Sequence, residues 1–107
     1  MDLPQTTHIF MLLKTTPAWL QLDPADRYGF LGSHILPVLK RYPDVRLRFF
    51  DTEFHSADVT DVALWETDNL AAWRALVDDL RETLFWDTYF QVVGLLTGIE
   101  NGHMAHY

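Results

Sequence analysis

The chain has 107 residues and no cysteine, and its 15 acidic against 8 basic side chains leave a net charge of −7. That length gives room for one domain with a modest core, and the charge repels phosphate backbones and anionic membrane surfaces, so neither nucleic acid nor membrane is an expected partner. Without thiols there is no disulfide, no thiolate nucleophile and no cysteine-ligated metal, and stability must come from packing.

Hydrophobic residues make up 49% of the chain and aromatics 14%, too apolar and ring-rich for a disordered polypeptide. Thr7 to Thr15 (THIFMLLKT) is an apolar run of strand length, stopped by Pro17. Its alternating faces, His8/Phe10/Leu12 and Ile9/Met11/Leu13, are both apolar, which implies cover on both sides of the sheet. Thr16 to Leu20 has the makings of one turn. Asp23-Pro24 is a helix start, with the aspartate as cap and the proline at the first helical position. The first helix then runs to Arg41, with Tyr28, Leu31, Ile35, Val38 and Leu39 as its apolar stripe. Gly32 and Pro37 weaken it and predict a kink near Ser33-His34, because proline removes the bond to the preceding turn.

Val45 to Asp51 (VRLRFFD) sets Val45/Leu47/Phe49 against Arg46/Arg48, the pattern of a half-exposed edge strand guarded by charge. Val59 to Glu66 (VTDVALWE) is the third strand, forming a hairpin with the second. Asp68 caps a second helix whose inward face is Leu70, Trp73, Val77 and Leu80. Leu84 to Tyr89 reads as an extra helical turn, Phe90 to Leu96 as the fourth strand, and Gly98 to Tyr107 as a polar tail. One domain over 1–107 is expected, with its core at about 7–98. The longest apolar runs, such as Ile9–Leu13, fall far short of the roughly 20 residues that span a bilayer. The start, Met1 to Gln5, lacks the basic and apolar regions of a secretory signal, which fits a cytoplasmic location.

The order is therefore βαββαβ, an α+β fold. Right-handed crossovers and a local hairpin turn it into a four-stranded antiparallel sheet with two helices on one face, a ferredoxin-like arrangement. One face is then uncovered, although the first and fourth strands are apolar on both sides, and such a patch exceeds what monomers tolerate. Two sheets pairing face to face about 10 Å apart would cover it, so a homodimer is expected.

The segments IFMLLKTTPAWLQL, RYGFLGSHILPVLKRYP, VRLRFFDTE, VALWETDNL and LRETLFWDTYFQVV resemble the darcynin family over roughly residues 8 to 100. The combination of Lys14-Thr15-Thr16-Pro17, Arg48-Phe49-Phe50-Asp51 and Leu64-Trp65-Glu66-Thr67 carries the resemblance. It implies a dimeric α/β barrel. The broader superfamily includes small polyketide cyclases, cofactor-free monooxygenases, muconolactone-type isomerases and proteins with no known reaction, and fold analogy does not choose among them.

In such barrels the ligand cavity lies between each sheet and its helices, so inward polar residues are the candidates. Similarity to small cyclases, which have a histidine a few residues before a strand lysine, makes His8 a candidate base; a strand-start histidine near solvent is the plainer reading. Asp61 lies inside the third strand, where an unpaired carboxylate is costly. Because the first and third strands should be neighbours, Asp61 is expected to orient His8 as a general base; a salt bridge from Asp61 to Arg46 or Arg48 is the alternative. His34, followed by Pro37, is similar to a histidine-proline pair in several superfamily enzymes and would point into the cavity mouth, or else be a surface histidine. Trp65, Trp73, Phe85 and Trp86, with Phe10, form a candidate aromatic box for a planar ligand, or simply core.

His103 and His106 have an H-x-x-H spacing with nothing placed to complete a metal site, so no metal is expected. Ser33 and His34 are adjacent and so do not face each other on a helix, which argues against a serine nucleophile served by that base. No GxGxxG, P-loop or other cofactor fingerprint occurs, and no cofactor is expected. Two readings remain: a cofactor-independent isomerase, cyclase or monooxygenase acting on a small apolar or aromatic compound, and a non-catalytic homodimer that binds such a compound or is purely structural.

Overall fold

The computed structural model describes residues 6–100. In chain order these form β1 (Thr7–Thr15), the one-turn helix α1 (Pro17–Leu20), α2 (Pro24–Phe30), a π-helical turn (Leu31–Ile35), α3 (Leu36–Arg41), β2 (Val45–Asp51), β3 (Asp61–Thr67), α4 (Leu70–Arg81) and β4 (Phe90–Ile99). The strands make one antiparallel sheet in the order β2-β3-β1-β4. The expected α+β architecture holds, with β1 central and β2–β3 as the hairpin. Gly98 and Ile99, expected in the tail, end β4; the rest of that tail beyond Glu100, with His103 and His106, lies outside the described residues.

Alternation along β1 decides where the core sits. Ile9, Met11 and Leu13 are 0–1% exposed and pack with Ala63 and Trp65 of β3, Ile35 of the π-helical turn, Val38 of α3, and Trp73, Leu76 and Leu80 of α4. The other face carries His8, Phe10, Leu12 and Lys14, paired with Glu66, Leu64 and Val62 on one side and with Gly98, Leu96 and Gly94 on the other. No helix covers it. At the β-bulge between Leu12 and Leu13, β1 and β4 approach closely enough that a Cβ on Gly94 would come within 3.0 Å of the Leu12 side chain.

The kink expected near Ser33-His34 is a π-helical turn. Pro37 has no N–H for the Ser33 carbonyl, and widening the turn by one residue absorbs that missing bond. The extra residue moves the apolar stripe: Phe30 and Ile35, five apart, share the inward face with Val38, while Tyr28, expected inward, is 75% exposed.

Three further expectations shift. The cap of α4 is Asn69 rather than Asp68, its side-chain oxygen accepting from the Ala72 N–H at 3.1 Å. Thr67, wholly buried, selects that start: its hydroxyl donates to the Asp44 carbonyl at 2.9 Å and accepts from the Asn69 N–H at 2.9 Å. The helix then buries Trp73, Leu76 and Leu80, whereas Leu70, in its first turn, is 46% exposed. Finally, Leu84 to Tyr89 is a succession of turns rather than a helix, with Asp87 in the left-handed region at φ 68°.

Candidate functional site

A cavity of about 460 Å³ opens between the helix-facing side of β2–β3 and the segment from α1 to α3. It exists because the floor residue between Asp61 and Trp65 is Ala63, too small to fill the layer, and because the π-helical turn holds Leu31, Ile35 and Leu36 on the opposite wall. Most of the lining is apolar. Leu20, Leu31, Leu36 and Phe49 line it while remaining 36–57% exposed. The Phe90 ring packs against Trp19 at 5.0 Å, Phe85 at 4.9 Å and Phe49 at 6.4 Å, giving the lining an aromatic side.

Polar groups concentrate at one end of the cavity. Asp61, at the start of β3, stands directly across from Asp51, at the end of β2, and Glu53 follows in the loop. Asp61 accepts from the Thr60 hydroxyl at 2.8 Å. Burial holds its carboxyl above its ordinary value, and the charges of Asp51 and Glu53 push the same way against the lowering effect of that hydroxyl. Arg27 also lines the cavity, but its guanidinium is tied to α1, donating to the Trp19 carbonyl at 3.2 Å and the Leu20 carbonyl at 2.9 Å.

The sequence candidates divide between places. Asp61, Trp65 and Phe85 line this cavity. Trp73 lies behind it, its ring 5.3 Å from Trp65, and the half-buried Trp86 carries the Arg81 guanidinium over its ring at 5.2 Å. His34 is exposed on the π-helical turn, its ring 5.3 Å from that of Phe30, and is not among the lining residues. His8 and Phe10 belong to the opposite face of the sheet, in a shallow hollow with Arg48, Leu64 and Glu66.

The expected His8–Asp61 pair does not form. In an antiparallel ladder the start of β1 meets the end of β3, so His8 is opposite Glu66 and Asp61 is opposite Leu13, and the alternation of side chains puts the two on different faces. The carboxylate near His8 is Glu66, whose Oε1 lies 3.9 Å from the imidazole Nε2. Arg46 and Arg48, the alternative partners for Asp61, also reach Glu66, each at 3.6 Å. Sequence reasoning missed Asp51, Glu53 and Arg27. Asp51 had a readable signal, since it continues the inward Val45/Leu47/Phe49 alternation; Arg27 had none. Among the described residues no three His, Asp or Glu side chains gather to hold a metal ion, and no helix is long and apolar enough to cross a membrane.

Comparison with known proteins agrees with this architecture. The family model described as "Darcynin, domain of unknown function" matches residues 2–107. A darcynin homolog of Streptomyces avermitilis is 52% identical over 99 residues, covering 92% of this chain and 82% of that one. A darcynin homolog of Granulibacter bethesdensis is 42% identical over 100 residues, covering 92% and 81%. Among solved structures, chlorite dismutase of Candidatus Nitrospira defluvii superposes with a TM-score of 0.76 at 11% identity in its W145V variant and 0.73 at 11% identity in its R173E variant, over 99% and 98% of this chain. The present chain spans 45% of each of those chains, and at that identity the likeness speaks for the fold alone. With its whole length matched by the family model and half of its residues shared with a family member, the chain belongs to the darcynin family.

Proposed function

We propose that this protein binds a small, apolar, ring-bearing compound between its sheet and helices, and that it does so as a homodimer paired through the uncovered sheet faces. The observation that carries the binding reading is the cavity of about 460 Å³ whose apolar walls are left partly exposed. Concave apolar sites with a few polar groups at one end are the usual form of small-molecule sites. A thermal-shift screen of aromatic and alicyclic compounds tests it, because a ligand of the folded state stabilises by RT ln(1 + [L]/Kd). Leu36→Trp, which fills the cavity from an exposed wall, should abolish any shift. Shifts that survive this variant would place binding elsewhere and defeat the reading.

Support for the dimer comes from the other face, where Phe10, Phe50 and Leu96 are 38–62% exposed around Leu12, Val62 and Leu64. Each 100 Å² of such surface removed from water contributes roughly 2.5 kcal/mol. An interface of standard size, about 800 Å² per partner, outweighs an association cost of about 4–15 kcal/mol. Sedimentation should show a dimer at micromolar concentration, and a lone subunit there would remove this part of the proposal.

A second, catalytic reading is favoured by one observation, the half-buried Asp61 with its raised pKa inside the cavity. If the bound compound is isomerised or cyclised, Asp61 is the proton-moving group that meets it, not His8 or His34. Exchange of the ligand's acidic protons into heavy water, lost in Asp61→Asn, is the expected signature; exchange unaffected by that change would exclude the role.

A further inference from the structure

Resting on the cavity as the ligand site, we propose that its occupant is an organic cation: an apolar ring body bearing a protonated amine or quaternary ammonium group, held at the mouth by Asp61, Asp51 and Glu53. Asp51 and Asp61 face each other in register at the end of the β2–β3 hairpin, and like charges directly opposite on a sheet repel. Among the described residues the ion pairs join Glu66 to His8, Arg46 and Arg48, and Asp79 to Arg41; the three mouth carboxylates take part in none. Arg27, the cation on the same wall, is turned toward α1, where two of its five N–H groups donate to the Trp19 and Leu20 carbonyls and its guanidinium rests over the Trp19 ring at 5.9 Å. A positively charged ligand group relieves the repulsion; an aromatic carboxylate would add to it.

Two independent features of the same cavity fit such a molecule. Its walls include Trp19, Phe49 and Phe90, and the electron-rich faces of such rings attract organic cations. Trp65, 2% exposed, lines the cavity, and its indole Nε1–H is buried without an acceptor. An ether, hydroxyl or carbonyl oxygen on the ligand would supply one.

The test is calorimetric titration of the full chain with three compounds that share one body: 2-(2-naphthyl)ethylamine, 2-(2-naphthyl)ethanol and 2-naphthylacetate. The amine should bind roughly tenfold or more tighter than the acetate and several-fold tighter than the alcohol. Asp61→Asn should weaken the amine by about fivefold to tenfold and leave the alcohol unchanged, while Leu36→Trp should weaken both. If the acetate binds as well as the amine, or if Asp61→Asn spares the amine, with Leu36→Trp still blocking, the cation inference is overturned and the cavity reading stands. Absence of binding by all three compounds, or binding indifferent to Leu36→Trp, overturns both.

Discussion

On the helix-covered face of the sheet, Ile9, Met11 and Leu13 are 0–1% exposed, whereas on the other face of the same strand Phe10 keeps 38% of its surface and Lys14 is exposed. Both sets come from one apolar run. The helix-covered face is finished within the chain, by the first helical segment and α4, and encloses a cavity where Ala63 leaves the layer unfilled. On the open face Glu66 gathers His8, Arg46 and Arg48 at one end. Among the described residues, Phe10, Phe50 and Leu96 on that face keep 38–62% of their surface exposed. Apolar alternation on a strand therefore does not say which of its faces the chain's own helices cover.

Substitutions should expose this difference, most strongly in the core. Leu13→Ala removes a wholly buried side chain and should cost about 2–5 kcal/mol in denaturant unfolding. A loss under about 1 kcal/mol would mean that the covered face is loosely packed. Phe10→Glu, one face over, should leave the subunit folded with a similar melting temperature and convert the proposed dimer to monomers in sedimentation. If the dimer survives a charge at that position, the open face is not where the copies meet.

Thr67→Val keeps the volume but strips the hydroxyl that joins the Asp44 carbonyl to the Asn69 N–H, and should cost about 1–3 kcal/mol by leaving those groups unpaired. Asp61→Asn should have the smallest effect, and of opposite sign. Because the folded state raises the Asp61 pKa, ionising it opposes folding: its favourable contribution is complete below the unfolded value, 3.8, and is lost as pH rises through the higher folded one. The amide variant should accordingly be more stable than the parent near neutral pH, by roughly a few tenths of a kcal/mol given how exposed the group is. The gain should vanish on acidification, and a variant less stable at neutral pH would show that the Asp61 carboxylate is stabilising.

The βαββαβ order, the hairpin and the bounds of β1 and β2 were legible because period-two alternation and turn residues are local signals, whereas β3, expected from Val59 to Glu66, runs Asp61–Thr67 and β4 continues past Leu96 to Ile99. The helical stripe was legible from Ile35 onward, where Ile35 and Val38 are buried as expected, but not at Tyr28 and Leu31, which are exposed. Before Ile35 the π-helical turn changes the spacing from four to five, and Phe30 replaces Tyr28 on the inward side. At the site, Asp61, Trp65 and Phe85 could be picked out as polar or aromatic residues on inward positions. His8 was misplaced because its partnership with Asp61 depends on register and facing, and antiparallel pairing sends the two to opposite ends and opposite sides of the strands. Arg27 and Glu53 come from a helix and a loop with no periodic relation to the sheet.

The sequence by itself determined the element order, the apolar character of both faces of β1 and the excess of acidic charge. All three are properties of residues and of their neighbours within one turn or two strand positions. Only the tertiary structure decided that the mouth of the cavity is made of Asp51, Glu53 and Asp61 and that His8 answers to Glu66. Which side chains meet across a sheet is fixed by strand direction, register and the helices laid over one side, and these are long-range pairings that no local pattern encodes.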